Sequence, residues 1–278
     1  MGAESIKAKL KTISKKTGKG YMELFKQLTF ERFLARVSSS EYKENLIFKG
    51  GLCLKEYIVS GRETMDIDFL VKKINNEVST IESVFRTIAE INLQDDYEFK
   101  EVKASKLDIE HKQYPGIRVK LTAKLGNMKD RLQIDIGFGD VVEERMIELT
   151  QTEYKGKSLI DSESVEVMAY PPEYIFSEKL QAIIELGEFN SRMKDYFDCW
   201  VLVSSDILSP QKTREAITKT FEKRETAIQL IGDYPKELEM LWSQFKKKVK
   251  TAPPSIQDTV DKINEHIKKH VVSVQVPK

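Results

Sequence analysis

Asp66 and Asp68 stand two residues apart in Thr64-Met65-Asp66-Ile67-Asp68-Phe69-Leu70-Val71, a run that reads as a strand. A period of two puts both carboxylates on one face and Ile67 and Phe69 on the other. Two such acids repel each other and lose hydration, a cost that turns favourable when a hard divalent cation such as Mg2+ sits between them. Upstream, Gly50-Gly51 joins the apolar Leu46-Ile47-Phe48 to a segment whose apolar residues Leu54, Tyr57 and Ile58 have helical spacing. Glycines at a strand-to-helix junction let a phosphate approach the unpaired amides and the positive helix end. A glycine pair alone is ordinarily a turn, and Asp-x-Asp alone a solvated strand end. Both in this order, with one short helix between them, are what a metal-dependent nucleotide-transfer site requires.

A third carboxylate comes from Asp130-Arg131-Leu132-Gln133-Ile134-Asp135-Ile136-Gly137-Phe138-Gly139-Asp140. Leu132, Ile134 and Ile136 alternate with Gln133 and Asp135, so Asp135 lies opposite the core face. If the two strands pair, three aspartates converge and can hold two Mg2+ ions about 3.5–4 Å apart, one activating an attacking hydroxyl and one on the triphosphate and leaving pyrophosphate. The other reading of Asp135 is an exposed strand residue. Asp140 falls in the turn after Gly139.

These residues need elements to hold them. Ile6, Leu10 and Ile13, then Leu24, Phe25, Leu28, Phe33, Leu34 and Val37, predict a helical layer over residues 1–40. A helix near Thr80–Ile91 and strands around Tyr97–Val102, Ile117–Leu125 and Leu132–Phe138 complete an α+β domain over 1–165. Pro171-Pro172 with an early acid, Glu173, signals a helix start. From there to the end, over 166–278, the pattern is helical: Ser191–Val203, Pro210–Lys223, Pro235–Lys250, and a last helix capped by Ser255 with Ile256, Val260, Ile263 and Ile267 on one face.

The 278 residues, 40% hydrophobic, suffice for a full core. With 45 basic and 44 acidic side chains no overall field steers the chain to nucleic acid, so any such surface is local. Lys246, Lys247, Lys248 and Lys250, with Lys212, Arg214, Lys223 and Arg224, could contact RNA phosphates or form solvated helix faces. Cys53 and Cys199 read as core residues in a reducing compartment. His111, His266 and His270 lack metal-ligand spacing. The lysine-rich start resembles no signal peptide, and no apolar run spans a bilayer, so a cytoplasmic location without membrane contact is expected.

Four blocks, from Phe48-Lys49-Gly50-Gly51 with Arg62–Asp68, through Gln133–Asp140 and Ser177–Ala182, to Asn190–Asp198, make the chain resemble the AbiEii/AbiGii nucleotidyltransferase toxins of type IV toxin–antitoxin and abortive-infection systems. The resemblance implies a DNA polymerase β-like nucleotidyltransferase domain with a mixed sheet, a C-terminal helical domain, and an active site in the cleft between them. It implies that Lys179 contacts triphosphate and that Asp195 acts at the site, with Arg192 and Lys194 beside it. Asp198 is taken as structural, with Lys194 as a partner one turn away. Lys49 and Arg62 could neutralise phosphate, Arg62 by bidentate contacts. Leu52 stands where the wider superfamily commonly has a phosphate-binding serine or threonine. The expected activity is transfer of NMP from an NTP to an acceptor hydroxyl, the tRNA 3′ end by resemblance, with a cognate antitoxin that need not touch the chain. Protein or small-molecule acceptors, or a silent nucleotide- or RNA-binding module, are the alternatives.

Overall fold

The computed structural model describes residues 2–107, 116–160, 164–187, 190–232 and 236–270, which leaves His111 outside. The chain forms two compact units, one of Met1–Leu52, Met65–Gly139 and Glu144–Ala169, the other of Cys53–Thr64, Asp140–Glu143 and Tyr170–Lys278.

The first unit is built on a seven-stranded mixed sheet. In chain order its strands are β1 (Leu46–Lys49), β2 (Ile67–Val71), β3 (Tyr97–Leu107), β4 (Gly116–Leu125), β5 (Met128–Phe138), β6 (Arg145–Glu148) and β9 (Glu166–Ala169), arranged β3-β4-β5-β2-β1-β9-β6; β7 (Glu153–Tyr154) and β8 (Lys157–Ser158) form a separate hairpin. Strands β6 to β9 were not anticipated from the sequence. They are short, and a run of two to four residues carries too little alternation to be read. Helices α1 (Ala3–Thr17), α2 (Tyr21–Ser38) and α4 (Val78–Glu90) belong to the same unit, and α3 (Gly50–Leu54) carries the chain from the first unit into the second.

One face of this sheet is dry. In register across four strands lie Ile117, Ile136, Phe69 and Phe48, all buried. Phe85 of α4 packs on Phe69 and, with Phe33 of α2, extends the aromatic cluster to Phe99 of β3. Because successive strand residues point to opposite faces, this apolar row fixes the next row along the strands to the other face.

The second unit is helical: α5 (Pro172–Leu186), α6 (Met193–Ser204), α7 (Pro210–Lys223), α8 (Lys236–Lys248) and α9 (Ile256–His270). Pro172 occupies the first turn of α5, where a missing N–H costs nothing. Ser255 caps α9 as the sequence suggests: its Oγ accepts from the Asp258 N–H at 3.0 Å, and Asp258 Oδ2 accepts from the Ser255 N–H at 3.1 Å. Ile256, Val260, Ile263 and Ile267 are buried, as are Phe176, Phe197, Phe221 and Trp242. Cys53 and Cys199 are both buried, and neither forms a disulfide among the described residues. Among the described residues no helix is long and apolar enough to cross a membrane.

Candidate active site

The polar face of the sheet holds the acids. Residues paired across strands share a face, and the registers Arg118↔Asp135, Asp135↔Asp68 and Asp68↔Lys49 set four charges in one row over β4, β5, β2 and β1. Two acids occupy the middle and a cation stands at each end. The strand expected from Thr64 begins only at Ile67, so Asp66 lies in the segment immediately before β2 and not on the strand, and its Oδ1 accepts a hydrogen bond from Gln133 Nε2 at 3.0 Å. All three aspartates are half-buried.

Arg118, which the sequence did not single out, grips Asp135 with both arms of its fork, Nε to Oδ1 and Nη2 to Oδ2, each at 2.7 Å. The bond from Asp135 holds the guanidinium above its ordinary pKa against the opposing effect of burial, and the charges of Asp135, Asp66 and Asp68 add to it. The three carboxylates therefore share one electrostatic neighbourhood. Nothing in the Ile-Arg-Val-Lys-Leu alternation of β4 distinguishes Arg118 from Lys120; only the strand register, a non-local property, gives it Asp135 as a partner.

Gly50 belongs to the same site for a reason different from phosphate contact. It adopts φ +75°, and a Cβ there would lie 2.0 Å from Asp68 Oδ2. The glycine makes room for the Asp68 carboxylate. Gly50 also begins the short α3, Gly51 follows as its second residue, and Leu52 is buried.

The helical unit holds a second charged set. Lys179 Nζ on α5 lies 2.7 Å from Asp195 Oδ1 and 2.9 Å from Asp198 Oδ2 on α6. Arg62 donates to both oxygens of Asp198, at 2.6 and 2.5 Å, and to Thr64 Oγ1 at 3.0 Å. Arg192 reaches Asp195 Oδ2 at 3.1 Å, while Lys194 is exposed. Asp198 thus pairs with Lys179 and Arg62 where Lys194 had been the expected partner. Burial alone would depress the Lys179 ammonium, but Asp195 and Asp198 outweigh it and hold its pKa above the ordinary value. Burial would likewise raise Asp198, and Lys179 and Arg62 together hold it below the ordinary carboxylate value. Asp140, read as a turn residue, follows the bend at Gly139 and pairs with Arg224 at 2.9 Å, in a cluster with Glu178.

A divalent ion fits the donor chemistry of the sheet face. Asp68 and Asp135 are hard oxygen donors opposed in register, and Asp66 is within the same field. The fit has one condition. Among the described residues no three acidic, histidine or cysteine side chains stand together as a ready ligand set, and both Asp135 oxygens are held by Arg118.

A mixed sheet carrying an aspartate row, with a helical unit after it, is the architecture of a nucleotidyltransferase, and a Helicobacter pylori crystal structure provisionally described as that enzyme shares the fold: TM-score 0.51, 12% identity, 90% of this chain and 95% of that chain covered. Residues 32–265 match the family described as nucleotidyl transferase AbiEii toxin, type IV TA system. The chain belongs to that family. A second H. pylori structure, JHP933, aligns over 90% of this chain and 95% of its own at 13% identity and a TM-score of 0.49. No curated protein matches in sequence.

Proposed function

We propose that the protein transfers a nucleoside monophosphate from an NTP to the 3′ acceptor end of tRNA, with release of pyrophosphate. The observation that carries this reading is the register that sets Asp68 against Asp135 on the polar sheet face, with Lys49 and Arg118 at the ends of the row. The acceptor oxygen gives up its proton, to Asp195 or to solvent, and bonds to the α-phosphorus as the bond to the pyrophosphate oxygen breaks. Mg2+, two ions in this reading, supplies charge neutralisation of the triphosphate and of the developing leaving group. Asp66, Asp68 and Asp135 are the residues that would hold it.

The remaining residues position and neutralise. Lys49 and the Gly50-Gly51 turn cradle phosphate, and Lys179 binds the triphosphate while Asp195 orients the acceptor hydroxyl. Arg62, closed on Asp198, holds the helical set in place instead of meeting phosphate directly. Arg192 and Lys194 attract the charged substrates. In this reading the enzyme works in the cytoplasm, and a cognate antitoxin, which need not touch the chain, opposes the toxicity.

The test is incubation of purified protein with each α-labelled NTP, Mg2+ and total cellular RNA, beside the Asp66→Asn variant. Label in a tRNA-sized band, made only by the unaltered protein, is the expected result. Label on protein or a small molecule would replace the RNA acceptor with that one, and no label with any substrate would leave a binding module.

A further inference from the structure

The charge row on the polar sheet face contains its own counter-ions, and one of them is closed on a would-be metal ligand. Asp135 is the middle residue between Arg118 and Asp68, and an Arg fork that donates to both of its oxygens leaves only the weaker lone pairs for an incoming cation. The Arg118–Asp135 pair is also open to exchange. Their side chains keep 30% and 25% of their exposure, so water can replace either partner, whereas the Arg62–Asp198 pair keeps 5% and 0%.

We infer that Arg118 is an internal competitor for Asp135 that couples metal loading to nucleotide binding: it holds Asp135 until a metal–NTP complex arrives, yields the carboxylate to the ion, and turns its guanidinium to the triphosphate. This rests on the nucleotidyltransferase reading above. The argument is one of geometry. Both Asp135 oxygens accept from the Arg118 fork, so an ion can take that carboxylate fully only if the fork lets go, and an incoming triphosphate gives the departing cation a partner whose oxygens match its fork. Lys49, at the other end of the row, does not present such a fork, so the exchange belongs to Arg118. The consequence is thermodynamic and reciprocal: nucleotide must tighten metal binding by the same factor as metal tightens nucleotide binding.

The experiment measures Mn2+ binding from the EPR signal of the free ion, and binding of α,β-methylene NTP analogues by calorimetry, on the full chain and without turnover. Arg118→Gln should bind Mn2+ alone about fivefold tighter or more, and the Mn2+–analogue complex weaker by a similar factor. Arg118→Lys, which keeps the charge without the fork, should fall between. In an Asp135→Asn background the Arg118→Gln change should no longer tighten Mn2+, which separates competition for that carboxylate from a general field effect. Unchanged or weaker Mn2+ binding by Arg118→Gln overturns the inference while leaving the enzyme reading intact, provided the unaltered protein binds Mn2+ with the analogue. If the unaltered protein binds neither ion nor analogue, both fall.

Discussion

The two charged sets of this molecule use the same residue types to opposite ends. Four residues of each match in type, one arginine, one lysine and two aspartates: Arg118, Lys49, Asp68 and Asp135 on the sheet, and Arg62, Lys179, Asp195 and Asp198 in the helical unit. On the sheet the acids lie side by side and the cations stand outside them, an order imposed by strand register. Among the helices every acid is enclosed by cations, and the side chains of Lys179, Asp195 and Asp198 are 14%, 6% and 0% exposed. Like charges held together on a wet surface leave room for an added cation, whereas opposite charges closed on one another in a dry core fix geometry. The lesson is that charge order and hydration, not composition, decide which set has room for an added cation and which is already neutralised from within.

The contrast is broken most severely in the helical set. Asp198→Ala leaves Arg62 and Lys179 buried without their shared acid and should cost about 3–5 kcal/mol of unfolding free energy, read from urea denaturation. The matching sheet change, Asp68→Asn, should lower the transfer rate about 10²–10³-fold, near 3–4 kcal/mol of barrier, by analogy with loss of a preorganised charge-stabilising group. Its denaturation midpoint should barely move. Gly50→Ala sharpens the role of the sheet row: a methyl at φ +75°, against the Asp68 carboxylate, should destabilise by about 1–3 kcal/mol and lower transfer as well, because Asp68 must shift.

The smallest effect concerns pH. His266 on α9 lies against Phe176 and His270, and burial, then the neighbouring His270 and Lys269, lower its pKa from 6.5 to about 4. Because the folded value is the lower one, the unfolded chain binds more proton between those limits. Stability is full above pH 6.5 and declines as pH falls toward 4. His266→Phe should flatten that stretch of a stability-versus-pH curve. Asp198, also depressed when folded, adds a further loss only below its ordinary value of 3.8. The titration of the helical unit therefore has two windows that these variants separate.

Much of the fold was legible because it is written locally. The alternation in Leu132–Phe138, the helical spacing of α2 and the Ser255 cap each sit within a few neighbours, and Asp68 and Asp135 could be placed on the polar strand face from period alone, whereas Asp66 falls just before its strand. Arg118 could not, since its meaning comes from β4 pairing with β5. The same holds for Arg62, whose fork the sequence suggests for neutralising phosphate but which is buried with that fork on Asp198, far along the chain. For Gly50 the sequence suggests a phosphate approach, and the packing adds a requirement of its own that the sequence did not show, the Asp68 side chain in the space a Cβ would fill.

The most direct measurement is label transfer from α-labelled NTP to RNA by the unaltered protein and by Asp68→Asn, at a temperature where circular dichroism shows both fully folded. The account predicts a tRNA-sized labelled product from the first and its loss by at least about a hundredfold in the second. Undiminished transfer by folded Asp68→Asn would contradict it, because the aspartate row would then not be where the chemistry occurs.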